Sequence, residues 1–165
     1  MYTFDDFIAD TNGRTIGNGE CWDYVNLIWT ALGSRYWTYP PSDPSATNHG
    51  IKWGVLNAEA LEANQIYGVT FISDINQVKR SDIVITTGGE FGHGGFMNED
   101  FDPLHPDRAY NLYSQNYNNR RSVALDSYRI SNQFAGAFRY DAWWIQEKKQ
   151  KRFPWVLNAR RLRGQ

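Results

Sequence analysis

GECWDYVNLIW, residues 19–29, carries the only cysteine of this 165-residue chain, set just before an apolar run. Val25, Ile28, Trp29 and Leu32 recur at intervals of three and four, which predicts a helix from about Glu20 to Leu32 with one buried stripe. Gly33 follows as its C-terminal stop. Cys21 stands four residues before Val25, at the head of that stripe. Two readings compete for it. A lone cysteine on an amphipathic helix is a good small core residue. A thiol at a helix N-terminus also sits where unpaired N–H groups and the macrodipole favour negative charge, and the thiolate is the nucleophilic form.

The rest of the chain decides what surrounds this helix. Thr3 followed by Asp6 makes a capping box for a short helix over 4–10, ending near Asn12-Gly13. YWTYPPSDPSATNHG, residues 36–50, is rich in turn formers, and Asn57 caps a short helix through Asn64. From residue 66 the pattern becomes that of strands. IYGVTFI (66–72), SDIVIT (81–86), GHGGFMN (92–98), AYNLYSQNYN (109–118) and QFAGAFRYDAW (133–143) are the candidates. Helices first and antiparallel strands afterwards predict an α+β domain. Its body is residues 1–146, and residues 147–165 form a basic tail or linker.

Composition narrows the function. Seven Trp and ten Tyr exceed what a core of this size uses, so some should line a groove where flat rings stack on sugars or peptides. Trp22, beside the cysteine, and Trp37 and Tyr39, in the turn-rich loop, are the candidates for substrate contact. One cysteine excludes an internal disulfide and any zinc site built on several thiolates. No apolar run approaches the roughly 20 residues of a membrane span. The opening MYTFDDFIAD is acidic and lacks the apolar length of a secretory signal, so the expectation is synthesis in a cytoplasm and release by other means. The net charge of −1 hides an asymmetry: the tail holds seven Lys/Arg and one Glu, for +6, leaving −7 on residues 1–146. Such a tail suits an anionic wall polymer or a solvated linker, and the acidic body disfavours nucleic acid.

A cysteine nucleophile needs a base and a group to orient it. Of three histidines, His93 lies between glycines where a strand begins, so its ring can stay open to substrate. His49 and His105 fall in loops, where a base is harder to hold. Along 110–117 the two-residue period puts Tyr110, Leu112, Ser114 and Asn116 on one face, so Ser114 or Asn116 can reach His93 if the strands pair.

GECWDYV, SDIVIT, GHGGFM, YSQN and GAFRY, in this order and spacing over about residues 3–144, resemble the CHAP family of cysteine, histidine-dependent amidohydrolases/peptidases. The resemblance is greatest to the catalytic domains of phage cell-wall lysins. It implies a papain-like fold, with N-terminal helices packed on an antiparallel sheet of about five or six strands. It also implies Cys21 as nucleophile, His93 as general base and Asn116 as the asparagine that assists them. The family's glutamate falls on Ser114, which leaves a Cys–His pair oriented mainly by Asn116. Asp23 matches a further common family residue. Peptidoglycan is the implied substrate, cut at an amide bond through an acyl-enzyme. The implied setting is a lysin that reaches the wall after release from the host cytoplasm or from the virion.

Two alternatives stand beside this reading. One is a wall-binding or phage tail module that has lost catalysis, as Ser114 in place of glutamate suggests; the other is acyl transfer on the same fold. Some family members hold calcium just before the cysteine. Here Asp10 and Asn12 are present, with Arg14 where another oxygen is wanted, and calcium takes about six to eight oxygens. The expectation is a plain turn, with no cofactor required.

Overall fold

The computed structural model describes residues 3–31 and 69–140, with side chains for 3–27 and 69–140. Two helices, α1 (Phe4–Thr11) and α2 (Cys21–Ala31), precede six strands: β1 (Val69–Ile72), β2 (Ile83–Thr86), β3 (His93–Met97), β4 (Tyr110–Ser114), β5 (Ala124–Tyr128) and β6 (Phe134–Tyr140). This is the α+β class expected. The capping box at α1 is formed in full: Thr3 Oγ1 accepts from the Asp6 N–H at 3.2 Å, and the Asp6 carboxylate accepts from the Thr3 N–H at 2.9 Å.

The strands form one antiparallel sheet in the order β1-β6-β2-β3-β4-β5. Strands β2 to β5 make a meander, and β6 returns to lie between β1 and β2. The sequence reading located five of these strands; β5 lies in a stretch that looked merely polar.

Helices α1 and α2 cover one face of the sheet. Phe7 stacks on Tyr24 at 5.6 Å, and both rings meet Phe96 of β3, at 5.2 and 4.9 Å between centroids. The Tyr24 hydroxyl shares a hydrogen bond with Thr11 Oγ1, so this buried ring keeps its polar end satisfied. Val84, Met97, Leu112, Tyr110 and Phe101 build a second core on the opposite face. Buried on both sides, β2 and β3 are apolar or small throughout, apart from Thr86 and His93. Glycines are needed in β3. A Cβ on Gly94 would come 3.2 Å from both Val25 and Ile85, and one on Gly95 would meet the Ser114 Cβ at 3.0 Å.

Trp37, Tyr39, His49, the helix expected from Asn57 and the tail 147–165 lie outside the described residues. Among the described residues no helix is long and apolar enough to cross a membrane.

Candidate active site

The loop before α2 is held from three sides. Gly13 and Arg14 pair with Val123 through backbone hydrogen bonds of 2.8 Å each. The Asp23 carboxylate, from the first turn of α2, accepts the N–H groups of Asn18 and Glu20 at 2.9 and 3.2 Å. Gln115, fully buried just past β4, accepts the Ile16 N–H at 2.8 Å and donates to the carbonyls of Ile16 and Glu20 at 2.9 and 2.7 Å. One side chain from the sheet thus fixes the tip of the helix that begins with Cys21.

Cys21 is buried, and its thiol packs against the backbone of Gly94, the residue after His93. Burial pushes the thiol up to about 11, with the negative charges of Glu20 and Asp23 adding to it. Backbone hydrogen bonding from Gly94 and Trp22 works the other way, as donors to a thiolate should. His93 is also buried, and burial drives its imidazole down to about 4. At neutral pH both groups are therefore uncharged, a thiol and a neutral imidazole. No hydrogen bond joins Cys21 to His93 in this arrangement.

The reason lies in the pleat. Gly94 and Phe96 face α2, whereas His93, Gly95 and Met97 face the other way. The His93 ring stacks on Tyr128 of β5 at 5.6 Å and meets Tyr117 at 5.8 Å, and those two tyrosines meet edge to face at 5.5 Å. Its Nε2 is buried with no hydrogen-bond partner. A cleft of about 600 Å³ opens at this ring, walled by Tyr117, Tyr128, Asn116, Arg129 and Gln133 with Gly92 at its edge. Cys21 does not line the cleft; it lies on the α2 side of β3.

The expected orienting residues are near His93 but have other partners. Strands β3 and β4 do pair, with Gly95 opposite Ser114, and the same register continued sets Asn116 opposite His93. Yet β4 ends at Ser114, and Asn116 takes a left-handed backbone with φ of +61°. Its side-chain amide donates to the Glu20 carboxylate at 2.5 Å, and Arg121 pairs with that carboxylate too. Ser114 is wholly buried, and its hydroxyl donates to Asp126 of β5 at 2.7 Å. His105 is exposed in a loop and paired with Asp102 at 2.7 Å.

Trp22 differs from the expectation. It is fully buried in the core between the helices and the sheet, because position 22 lies one helical turn before Val25 on the inward stripe. It offers no surface to a substrate. The sequence reading also passed over Tyr117, Tyr128 and Asp126. The tyrosines carried a signal in the aromatic excess; Asp126 carried none without β5.

Of the residues named for calcium, Asp10 is buried at the end of α1 and Asn12 is the residue capping that helix; Asp23 is engaged with backbone N–H groups. Among the described residues no group of three or more His, Cys, Asp or Glu side chains could hold a metal ion.

No family model matches the sequence, and no curated protein matches it. Solved structures do match. One is "The crystal structure of Ly7917", with a TM-score of 0.53 and 19% identity, covering 81% of this chain and 59% of that one. Another is the same protein "with the hydrolyzing product of MDP", with a TM-score of 0.55 and 18% identity over the same shares. A third is the wild-type endolysin LysIME-EF1, with a TM-score of 0.53 and 19% identity, covering 86% of this chain and 67% of that one. The likeness is one of fold: this chain has the α+β fold of these proteins, and it spans 59% of the length of Ly7917.

Proposed function

We propose that this chain is a peptidoglycan hydrolase of the CHAP type, cutting an amide bond by covalent catalysis from Cys21. The observation that carries the reading is the placement of Cys21 at the first residue of α2, against the strand end that bears His93. Its support from outside the chain is the shared fold with an endolysin and with a protein crystallised with the hydrolyzing product of MDP.

In this reading the neutral pair is the resting state. Catalysis then requires the His93 side chain, at the first residue of β3, to swing from the cleft face to the α2 face, where His93 takes the Cys21 proton as the thiolate attacks the amide carbonyl. The N–H groups at the head of α2 stabilise the oxyanion. His93 then returns the proton to the leaving amine, and water releases the acyl-enzyme. Tyr117 and Tyr128 present flat faces suited to sugar or peptide. The bond cut is either the N-acetylmuramoyl-L-alanine amide or a peptide bond of the stem or cross-bridge. The wall is reached after release from the cytoplasm or from a virion, and the basic tail binds anionic wall polymer.

The test is loss of turbidity from Gram-positive cell walls. Wild-type protein should clear them with release of free amino groups, and Cys21→Ser should lower the rate by ~10³-fold or more, as removal of a nucleophile does. Equal lysis by the variant would sink the thiol mechanism.

A wall-binding module without catalysis is the second reading. The raised thiol and the missing Cys21–His93 hydrogen bond favour it. Wall pull-down without new amino groups would support that reading. Release of free amino groups by wild type but not by folded Cys21→Ser would oppose it.

A further inference from the structure

A buried carboxylate shares the cleft face of the sheet with His93 and has no part in the catalytic reading. Asp126 lies at the centre of β5, two residues from Tyr128 and on the same face, and Tyr128 is the ring stacked on His93. Its carboxylate points inward rather than to solvent, which on an edge strand has to be compensated. Three side-chain hydrogen bonds do so. Ser114 donates to Oδ2 at 2.7 Å, and Arg120 donates to Oδ1 at 2.7 Å and to Oδ2 at 2.5 Å in a bidentate fork. Ser114 is opposite Gly95, and Gly95 shares the face of His93, so the fork and hydroxyl hold the carboxylate against β4 on the face that carries the ring.

We propose that Asp126, clamped by Ser114 and Arg120, is the carboxylate that positions His93 and stabilises its protonated form during turnover. This rests on the hydrolase reading above, and it makes Ser114 a support for Asp126 rather than a partner of the histidine. Asp126 touches no reacting atom and is a positioning residue.

The groups facing His93 give this a distinctive sign. Tyr128 comes from β5, Tyr117 and Asn116 from the segment after β4, and Asn116 ties Glu20 to the site, with Cys21 beyond Gly94. Among the charges, Asp126 favours the imidazolium and Arg120 opposes it. Removing one should move His93 in the opposite direction to removing the other. A purely structural role predicts no such opposition.

The experiment is a proton NMR titration of His93 in the full chain, its signal assigned by loss in His93→Gln. Asp126→Asn should lower the midpoint by about 0.5–1 unit, and Arg120→Gln should raise it by a similar amount. No downward move in folded Asp126→Asn overturns the proposal. Should that variant fail to fold, Arg120→Gln decides alone, and an unmoved midpoint there overturns it. On cell walls, Asp126→Asn should lower kcat by ~10-fold with KM held, and Asp126→Glu should recover most of it. If wild type releases no amino groups, the hydrolase reading fails, but the titration still decides the electrostatic role of Asp126. If wild type is active and the titration does not respond, this inference fails alone.

Discussion

Gly95 has no room for a side chain. A methyl there would stand 3.0 Å from both the Ser114 Cβ and the Tyr113 carbonyl oxygen, and the latter is backbone that cannot swing away. Gly95→Ala should therefore cost about 1–3 kcal/mol by overpacking, read as a lower midpoint in denaturant unfolding. Because the displaced atom belongs to Ser114, the same variant should disturb the Ser114–Asp126 hydrogen bond and with it His93. A variant as stable as wild type would show that β3 and β4 are further apart than described. The GHGG run reads as leaving the His93 ring open to substrate, yet the ring is buried and the glycines serve packing. What approaches at Gly95 is a neighbouring strand, and at Gly94 it is α2; the cleft opens on the His93 ring instead.

At the scale of elements, Gln115 links the sheet to the reactive end of α2. Replacing it with Ala strands the Ile16 N–H in a buried setting and frees two carbonyls of a donor, for a cost of about 2 kcal/mol. Gln115→Glu should be at least as damaging, since a carboxylate would face the Ile16 and Glu20 carbonyls. In both variants Cys21 should be alkylated faster than in wild type as the helix tip loosens; unchanged stability and reactivity would mean that the loop is held by Asp23 and Val123 alone. The elements themselves differed in how plainly the sequence declared them. The capping box, the apolar runs of β2 and β3 and the alternation of β4 follow local rules, and each formed where those rules put it. Strand β5 escaped because its one buried position is Asp126, so the signature of alternating apolar residues is absent. Asn116 escaped for a different reason. Alternation continues through it, but asparagine tolerates the left-handed backbone that ends the strand, and period two cannot register that turn.

For the molecule as a whole, burying two titratable groups in their neutral forms sets a stability plateau with a limb on either side. His93 falls from its ordinary 6.5 to about 4 on folding, so below pH 6.5 the unfolded chain takes up a proton that the folded chain refuses. Stability is then lost as pH falls from about 6.5 toward 4, by on the order of 3 kcal/mol at 1.36 kcal/mol per unit. Cys21 rises from 9.0 to about 11, and here the unfolded chain loses a proton that the folded chain keeps. Stability is lost again as pH rises from 9 toward 11. Denaturant unfolding across this range should show a flat top between about pH 6.5 and 9. His93→Gln should flatten the acid limb between 6.5 and 4 while leaving the alkaline limb, and Cys21→Ser should flatten the alkaline limb between 9 and 10, above which Tyr24 and Tyr140, both raised by burial, keep a slope. Below pH 4 a residual slope should survive in both variants, because Glu99 and Asp100 are held below the usual carboxylate range by their surroundings. The leading influence on Glu99 that lowers it is its pairing with Arg108, and for Asp100 it is the Arg80 backbone N–H. An acid limb unchanged in His93→Gln would mean that folding does not depress the imidazole, and the account of a ring desolvated by burial would have to be abandoned.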